Sequence, residues 1–171
     1  VDASPDNFSN LLGEKCRYPE VETSNYDTGE TAEDSKTARS IAEIAKGLKG
    51  LNYFRKELVM PESLKAEGMT EQDYLAQRLS SATALERYLI AESLRSSRAA
   101  LVEHLEGTKE SVRQFGIKLD GKSQKSGNII KSIEEMKMPE SSLDVELPAW
   151  LSEPQAFEEA KKTELKNLRE I

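Results

Sequence analysis

Apolar residues between Thr31 and Pro61 recur at steps of three and four, the spacing that places side chains on one face of an α-helix. Thr31 followed by Asp34 resembles a capping box, and Pro61 is a helix stop, so the pattern predicts one helix between them. Gly47 and Gly50 inside this run indicate either a close approach of another helix or a local break. The apolar face of the predicted helix comprises Ile41, Ile44, Leu48, Leu51 and Leu58.

A longer helical pattern follows, because Thr70 with Asp73 marks a helix start and the run to Glu106 contains neither glycine nor proline. Its apolar residues form two stripes, and a helix with two stripes is typical of the inside of a bundle. The first stripe is Leu75, Leu79, Ala82 and Leu89; the second is Leu85, Tyr88, Leu94, Leu101 and Leu105, continued by Val112, Phe115 and Leu119. Gly107 interrupts the second stripe, so the pattern leaves open whether residues 71–119 form one helix or two.

The C-terminal part predicts a short helix over residues 129–136, then an extended segment, then a final helix. Residues 143–151, which include Pro148 and Trp150, show no helical periodicity and predict extended chain lying over a groove. Ser152 is the predicted cap of the last helix, which begins near Glu153. The apolar face of that helix comprises Phe157, Ala160, Leu165, Leu168 and Ile171.

Together these patterns predict an all-α fold, an elongated helical bundle with coiled-coil-like packing. A chain of 171 residues suits one main domain. We expect residues 1–30 to form a short helix and a polar, acidic arm, and residues 31–138 to form the bundle core. Residues 139–171 then supply the extended Pro/Trp segment and a helix that packs on the core or on a partner.

Charge and composition exclude several classes of partner. The net charge of −7 argues against nucleic acid, because binding to phosphates depends on Lys and Arg. No apolar run is long enough for a membrane span. Cys16 is the only cysteine and cannot form an intramolecular disulfide, which fits a cytoplasmic or nuclear protein; because the chain starts at Val1 rather than Met, secretion stays open.

One formal motif for a cofactor is present, the GxxxxGKS pattern of a phosphate-binding loop at Gly116, Gly121, Lys122 and Ser123. Such a loop normally follows a buried strand and opens a helix, whereas the residues before Gly116 continue a charged helical pattern. The sequence therefore favours a turn between helices, with nucleotide binding as an alternative, and we predict no cofactor.

The sequence contains few residues in patterns that indicate catalysis. His104 is the only histidine, so any hydrolytic triad depends on it, and no spacing of Cys and His residues indicates a zinc site. The paired glutamates are typical of solvated helix faces. We therefore predict no enzymatic activity and no metal.

The sequence favours a non-enzymatic scaffold subunit that binds other proteins through helix–helix seams, as a homo- or hetero-oligomer. A secreted helical surface antigen or effector is a second alternative. The predicted partner-binding residues are Ile41, Ile44, Leu48, Leu51, Leu94, Leu101, Leu105, Trp150, Leu151 and Phe157.

Overall fold

The structure, a computed structural model, describes residues 29–117 and 128–171. The chain divides into two compact units, Val1–Thr31 and Ala32–Ile171. Cys16 and the predicted N-terminal arm lie outside the described residues. The second unit, which contains the rest of the predictions, is described by itself below.

The second unit is built from α-helices, which confirms the all-α prediction. They are α1 (Ala32–Lys46), α2 (Glu62–Ala66), α3 (Glu71–Ser96), α4 (Arg98–Glu106), α5 (Thr108–Phe115), α6 (Ile129–Glu134), α7 (Ala149–Ser152) and α8 (Pro154–Glu170), with a 3₁₀ turn at Leu51–Phe54. In the described ranges, β-pairing is limited to one parallel bridge between Leu58 and Ser141. Helix α1 packs against α3 and α8, and α6 packs against α4 and α8. Coiled-coil packing stays a prediction.

The predicted single helix up to Pro61 is wrong, because α1 ends at Lys46. Gly50 adopts a left-handed backbone conformation, with a φ of 72°, and cannot continue a right-handed helix there. The chain then forms the 3₁₀ turn and an irregular stretch up to Pro61. Of the two interpretations offered by the glycines, the local break is confirmed, and Gly50 also lies against another helix, as shown below.

Residues 71–115 form three helices, rather than the one or two that the sequence left open. Helix α3 begins as predicted, with the Thr70 hydroxyl oxygen accepting a hydrogen bond from the Asp73 amide. It ends at Ser96, because the extended backbone of Ser97 stops the helix; the Ser97 side chain caps α4 by accepting from the Ala100 amide. Gly107 separates α4 from α5 with a φ of 94°. A serine acting as a cap leaves no break in the apolar periodicity, which is why the first interruption was missed.

The C-terminal prediction is right in outline and wrong at Trp150. Residues 137–148 carry no helix, but Trp150 lies in the one-turn helix α7 rather than in extended chain. Helix α8 begins at Pro154 as expected, yet Ser152 does not cap it: its hydroxyl donates to the Pro148 carbonyl at 3.2 Å. Pro148 precedes α7 and Pro154 opens α8, so each proline is followed by a helix that it helps to start.

One hydrophobic core joins these helices. Residues from α1, the 3₁₀ turn, α3, α4, α6, α7 and α8 contribute to it, and Leu51, Phe54 and Ile133 are fully buried at its centre. Because Leu51 and Phe54 come from the 3₁₀ turn, the break after α1 delivers two of the central core residues. The chain around this turn is therefore the structural centre of the unit.

Candidate functional site

All of the predicted partner-binding residues except Ile44 belong to the core of this unit or pack against it. Seven are buried and three are half-buried, so their contact with a partner stays a prediction. The buried residues are Ile41, Leu48, Leu51, Leu101, Leu105, Leu151 and Phe157; the half-buried ones are Ile44, Leu94 and Trp150.

Trp150 packs on the chain's own core. Its ring meets Phe54 edge to face, with centroids 5.5 Å apart, and the Lys49 ammonium lies 5.4 Å from its ring centroid. Both neighbours come from the segment around the 3₁₀ turn. The tryptophan therefore joins α7 to that segment.

The turn between α1 and the 3₁₀ turn, residues 47–51, holds a buried carboxylate. Glu164 of α8 is 2% exposed, and its two oxygens accept hydrogen bonds from three successive backbone amides. The amide of Lys49 donates at 2.8 Å, that of Gly50 at 2.8 Å and that of Leu51 at 3.0 Å. Bonds of this kind to a charged acceptor are stronger than those between neutral groups. The helix break after Lys46 exposes these amides, and Glu164 satisfies them.

Helix α3 holds the other side of the 47–51 turn. The backbone of Gly50 lies so close to Ala82 that a Cβ atom there would be 2.5 Å from the Ala82 carbonyl oxygen. The Thr83 hydroxyl donates to the Lys49 carbonyl at 3.3 Å. The Arg87 guanidinium donates to the carbonyls of Ala45 and Lys46, at the end of α1. The turn is therefore fixed by α3 on one side and by α8 on the other.

A second buried carboxylate, Glu86 of α3, has no such partners. It is 1% exposed, and neither of its oxygens accepts a hydrogen bond. Burial, followed by the negative charge of Glu164, raises the pKa of Glu86 to about 7, and the Tyr53 hydroxyl offsets part of this rise, although the two groups do not meet in hydrogen-bond geometry. Burial, with the charge of Glu86, also raises the pKa of Tyr53 to about 12. Glu86 therefore carries a proton for much of the time at neutral pH.

The cations of this region contact other groups, although the buried Nε atom of Arg78 has no hydrogen-bond partner. Arg87 donates to α1 carbonyls, and Lys49 lies over the Trp150 ring. Arg78 donates to the Tyr53 carbonyl at 3.0 Å and lies over the Phe54 ring. We call Glu86 and Glu164 the acid pair. Since both are almost fully buried, the acid pair can bind a proton but does not present a carboxylate to a substrate.

Sequence reasoning missed the acid pair, although a signal was present. Glu86 continues the spacing of Leu75, Leu79 and Ala82, and Glu164 lies at the core position between Ala160 and Leu168. Charged residues at core positions of an amphipathic helix are rarely solvated. Treating glutamates only as solvated helix faces hid both residues.

The second predicted stripe of α3 is partly uncovered. Leu101 and Leu105 are buried in α4, but Leu85 is 43% exposed and Tyr88 is 59% exposed. Ala84 and Ala91 are exposed on the same side of α3. We call Ala84, Leu85, Tyr88 and Ala91 the outer face of α3. It is an apolar surface that the described residues do not cover.

The remaining candidates for chemistry stay isolated. His104 is half-buried, its Nε2 atom has no hydrogen-bond partner, and burial lowers its pKa. Within residues 29–117 and 128–171, no three His, Cys, Asp or Glu side chains are grouped to hold a metal ion. Gly116 follows helix α5 rather than a strand, and Gly121, Lys122 and Ser123 lie outside the described residues. Of the helices that the structure describes, none combines the length and hydropathy of a membrane span.

Comparison with known proteins does not assign this chain to a family. No family model matches the chain, and no curated protein and no solved structure shows significant similarity to it.

Proposed function

We propose that this protein is a non-enzymatic subunit that binds another protein by helix packing, and that the outer face of α3 is its contact surface. The observation that carries the proposal is the exposure of Leu85 and Tyr88, at 43% and 59%, on a helix whose opposite face is in the core. Large apolar side chains grouped on one side of a helix are typical of protein contacts.

The composition of the outer face suits a helical partner. Ala84 lies four residues before Tyr88 and Ala91 three residues after it, and small residues allow a second helix to approach closely. Tyrosine is enriched among the residues that dominate binding energy. In this picture the buried seams of the other helices form the scaffold that presents α3.

The charges around the outer face favour a partner helix with acidic residues. Glu86, the one acidic residue of α3 between Asp73 and Glu92, is buried. Arg95 is exposed one to two turns beyond Tyr88 and forms no ion pair with the described residues. Glu92, four residues after Tyr88, is half-buried, and the exposed Arg95 is the charge at this end of the outer face that an acidic partner would neutralise.

The test is to replace Leu85 and Tyr88 by glutamate in the full chain and to measure association. Light scattering after size exclusion, over about a hundredfold range of concentration, detects a homo-oligomer; affinity capture from a lysate of the native host detects a different partner. We expect the L85E/Y88E variant to weaken the wild-type association by roughly 30-fold or more, since central aromatic contacts contribute about 2 kcal/mol or more.

The matched control is Val59→Glu, which places the same charge on another exposed apolar residue, 47% exposed and outside α3. Circular dichroism checks that all variants fold. If L85E/Y88E retains every oligomer and every captured protein of the wild type, the outer face of α3 is not the contact surface. Loss of the same species in V59E would mean that added charge, rather than the site, is responsible.

A further inference from the structure

The acid pair lies where three elements meet, and its two members have opposite environments. Glu164 accepts three backbone amides of the 47–51 turn, whereas both oxygens of Glu86 lack a hydrogen-bond partner at 1% exposure. An ionised carboxylate without partners is costly to bury, and an ionised neighbour adds repulsion. A single proton on Glu86 removes both costs.

We infer that the acid pair is a protonation switch. Uptake of one proton by Glu86 stabilises the packing of the 47–51 turn between α3 and α8, and loss of that proton weakens this packing. Glu164 cannot move away from Glu86 without releasing the amides of Lys49, Gly50 and Leu51. Repulsion within the pair is therefore transmitted to the turn, and through Leu51 and Phe54 to the core.

Besides burial, the two groups that shift the pKa of Glu86 are a carboxylate and a phenol, and neither is a cation. From α8 it meets Glu164, and from the 3₁₀ turn it meets the Tyr53 hydroxyl. On α3 itself, Arg78 and Arg87 donate to backbone carbonyls of the preceding segment. On α1, Lys46 and Glu43 pair with each other at 2.6 Å on the exposed side. On α4, His104 is half-buried, and its pKa is lowered by burial alone.

The direction of the pH effect follows from linkage. Burial raises the pKa of Glu86 from 4.5 to about 7 on folding, so the folded chain binds the proton more tightly and stability falls as pH rises between these values. Above about pH 7 the loss is complete. His104 acts in the opposite sense, because its pKa is lowered on folding and stability is lost as pH falls through its unfolded value.

The experiment compares urea unfolding of the full-length wild type with Glu86→Gln, an uncharged side chain of the same shape. We expect the ratio of their unfolding constants, wild type over variant, to rise by roughly 50- to 100-fold between about pH 5 and pH 8. Because His104 is present in both proteins, its contribution cancels in the ratio. The control is Glu92→Gln, a half-buried glutamate of the same helix outside the acid pair; a rise as large as that for E86Q would mean that the effect does not come from the acid pair. A ratio for E86Q that does not change with pH overturns the inference.

Two further measurements do not depend on the variant being folded. The side-chain carboxyl carbon of Glu86, followed by NMR in the wild type, should titrate with a midpoint near 7; a midpoint below about 5 overturns the inference. The amides of Gly50 and Leu51 should lose protection from hydrogen exchange between pH 5 and pH 8, after correction for the intrinsic rate. Unchanged protection there means that the proton does not act on the turn.

Discussion

Replacing Gly50 by alanine is expected to destabilise the protein by about 3 to 5 kcal/mol, a large loss for one methyl group. The new Cβ atom would lie 2.5 Å from the carbonyl oxygen and 2.6 Å from the carbonyl carbon of Ala82, both backbone atoms of a helix that cannot move alone. The left-handed φ of 72° adds about 1 to 2 kcal/mol of strain. Urea unfolding followed by circular dichroism and by the fluorescence of Trp150 measures the loss.

Gly68→Ala is the matched control. Gly68 also has a left-handed backbone, with a φ of 84°, but nothing lies within 4 Å of its added Cβ atom. We expect this variant to lose only the strain of about 1 to 2 kcal/mol. Equal losses in the two variants would contradict the close contact between the 47–51 turn and α3.

Glu164→Ala is the second large effect, with an expected loss of about 3 to 5 kcal/mol. The substitution leaves three amides without an acceptor, two of them in buried hydrogen bonds, and each such loss costs about 1 to 3 kcal/mol. Relief of the repulsion on Glu86 offsets part of the loss at alkaline pH. Glu164→Gln, which keeps one acceptor oxygen, should lose less than Glu164→Ala.

The control on the same helix is Glu158→Ala, at an exposed position of α8. We expect it to change the free energy of unfolding by no more than about 0.5 kcal/mol. A loss for Glu164→Ala no larger than that of Glu158→Ala would show that the carboxylate does not hold the turn. In that case the buried Glu164 would contribute no more to the free energy of unfolding than the exposed Glu158.

Much of the fold could be predicted from the periodicity of apolar residues. The starts of α1, α3 and α8 follow from capping residues and proline, and the apolar face of α8 includes the buried Phe157 and Leu168. Local rules of this kind suffice where a helix end is set by its own sequence. They fail at Ser97, where a residue that is neutral inside a helix becomes a cap only because α4 turns onto the core.

The end of α1 is a second place where local sequence does not determine where a helix stops. Gly47 and Gly50 signalled a possible break, but the choice between a break and a continuous helix depends on Glu164, more than a hundred residues away. The acceptor that replaces the helical hydrogen bonds is therefore absent from any local window. The candidate site could not be predicted for the same reason, since the burial and the hydrogen-bond partners of a glutamate in an apolar stripe depend on the elements that pack against it.

The acceptor of the three amides of the 47–51 turn lies between 113 and 115 positions further along the chain. The order in which the chain is synthesised therefore affects when the turn can form its hydrogen bonds. The chain leaving the ribosome contains α1, α3 and the turn long before α8 exists. Until Glu164 emerges, those amides have only water as a partner, and closing so long a loop is among the slower steps of folding. Helix α8 therefore completes a site that begins at the end of α1.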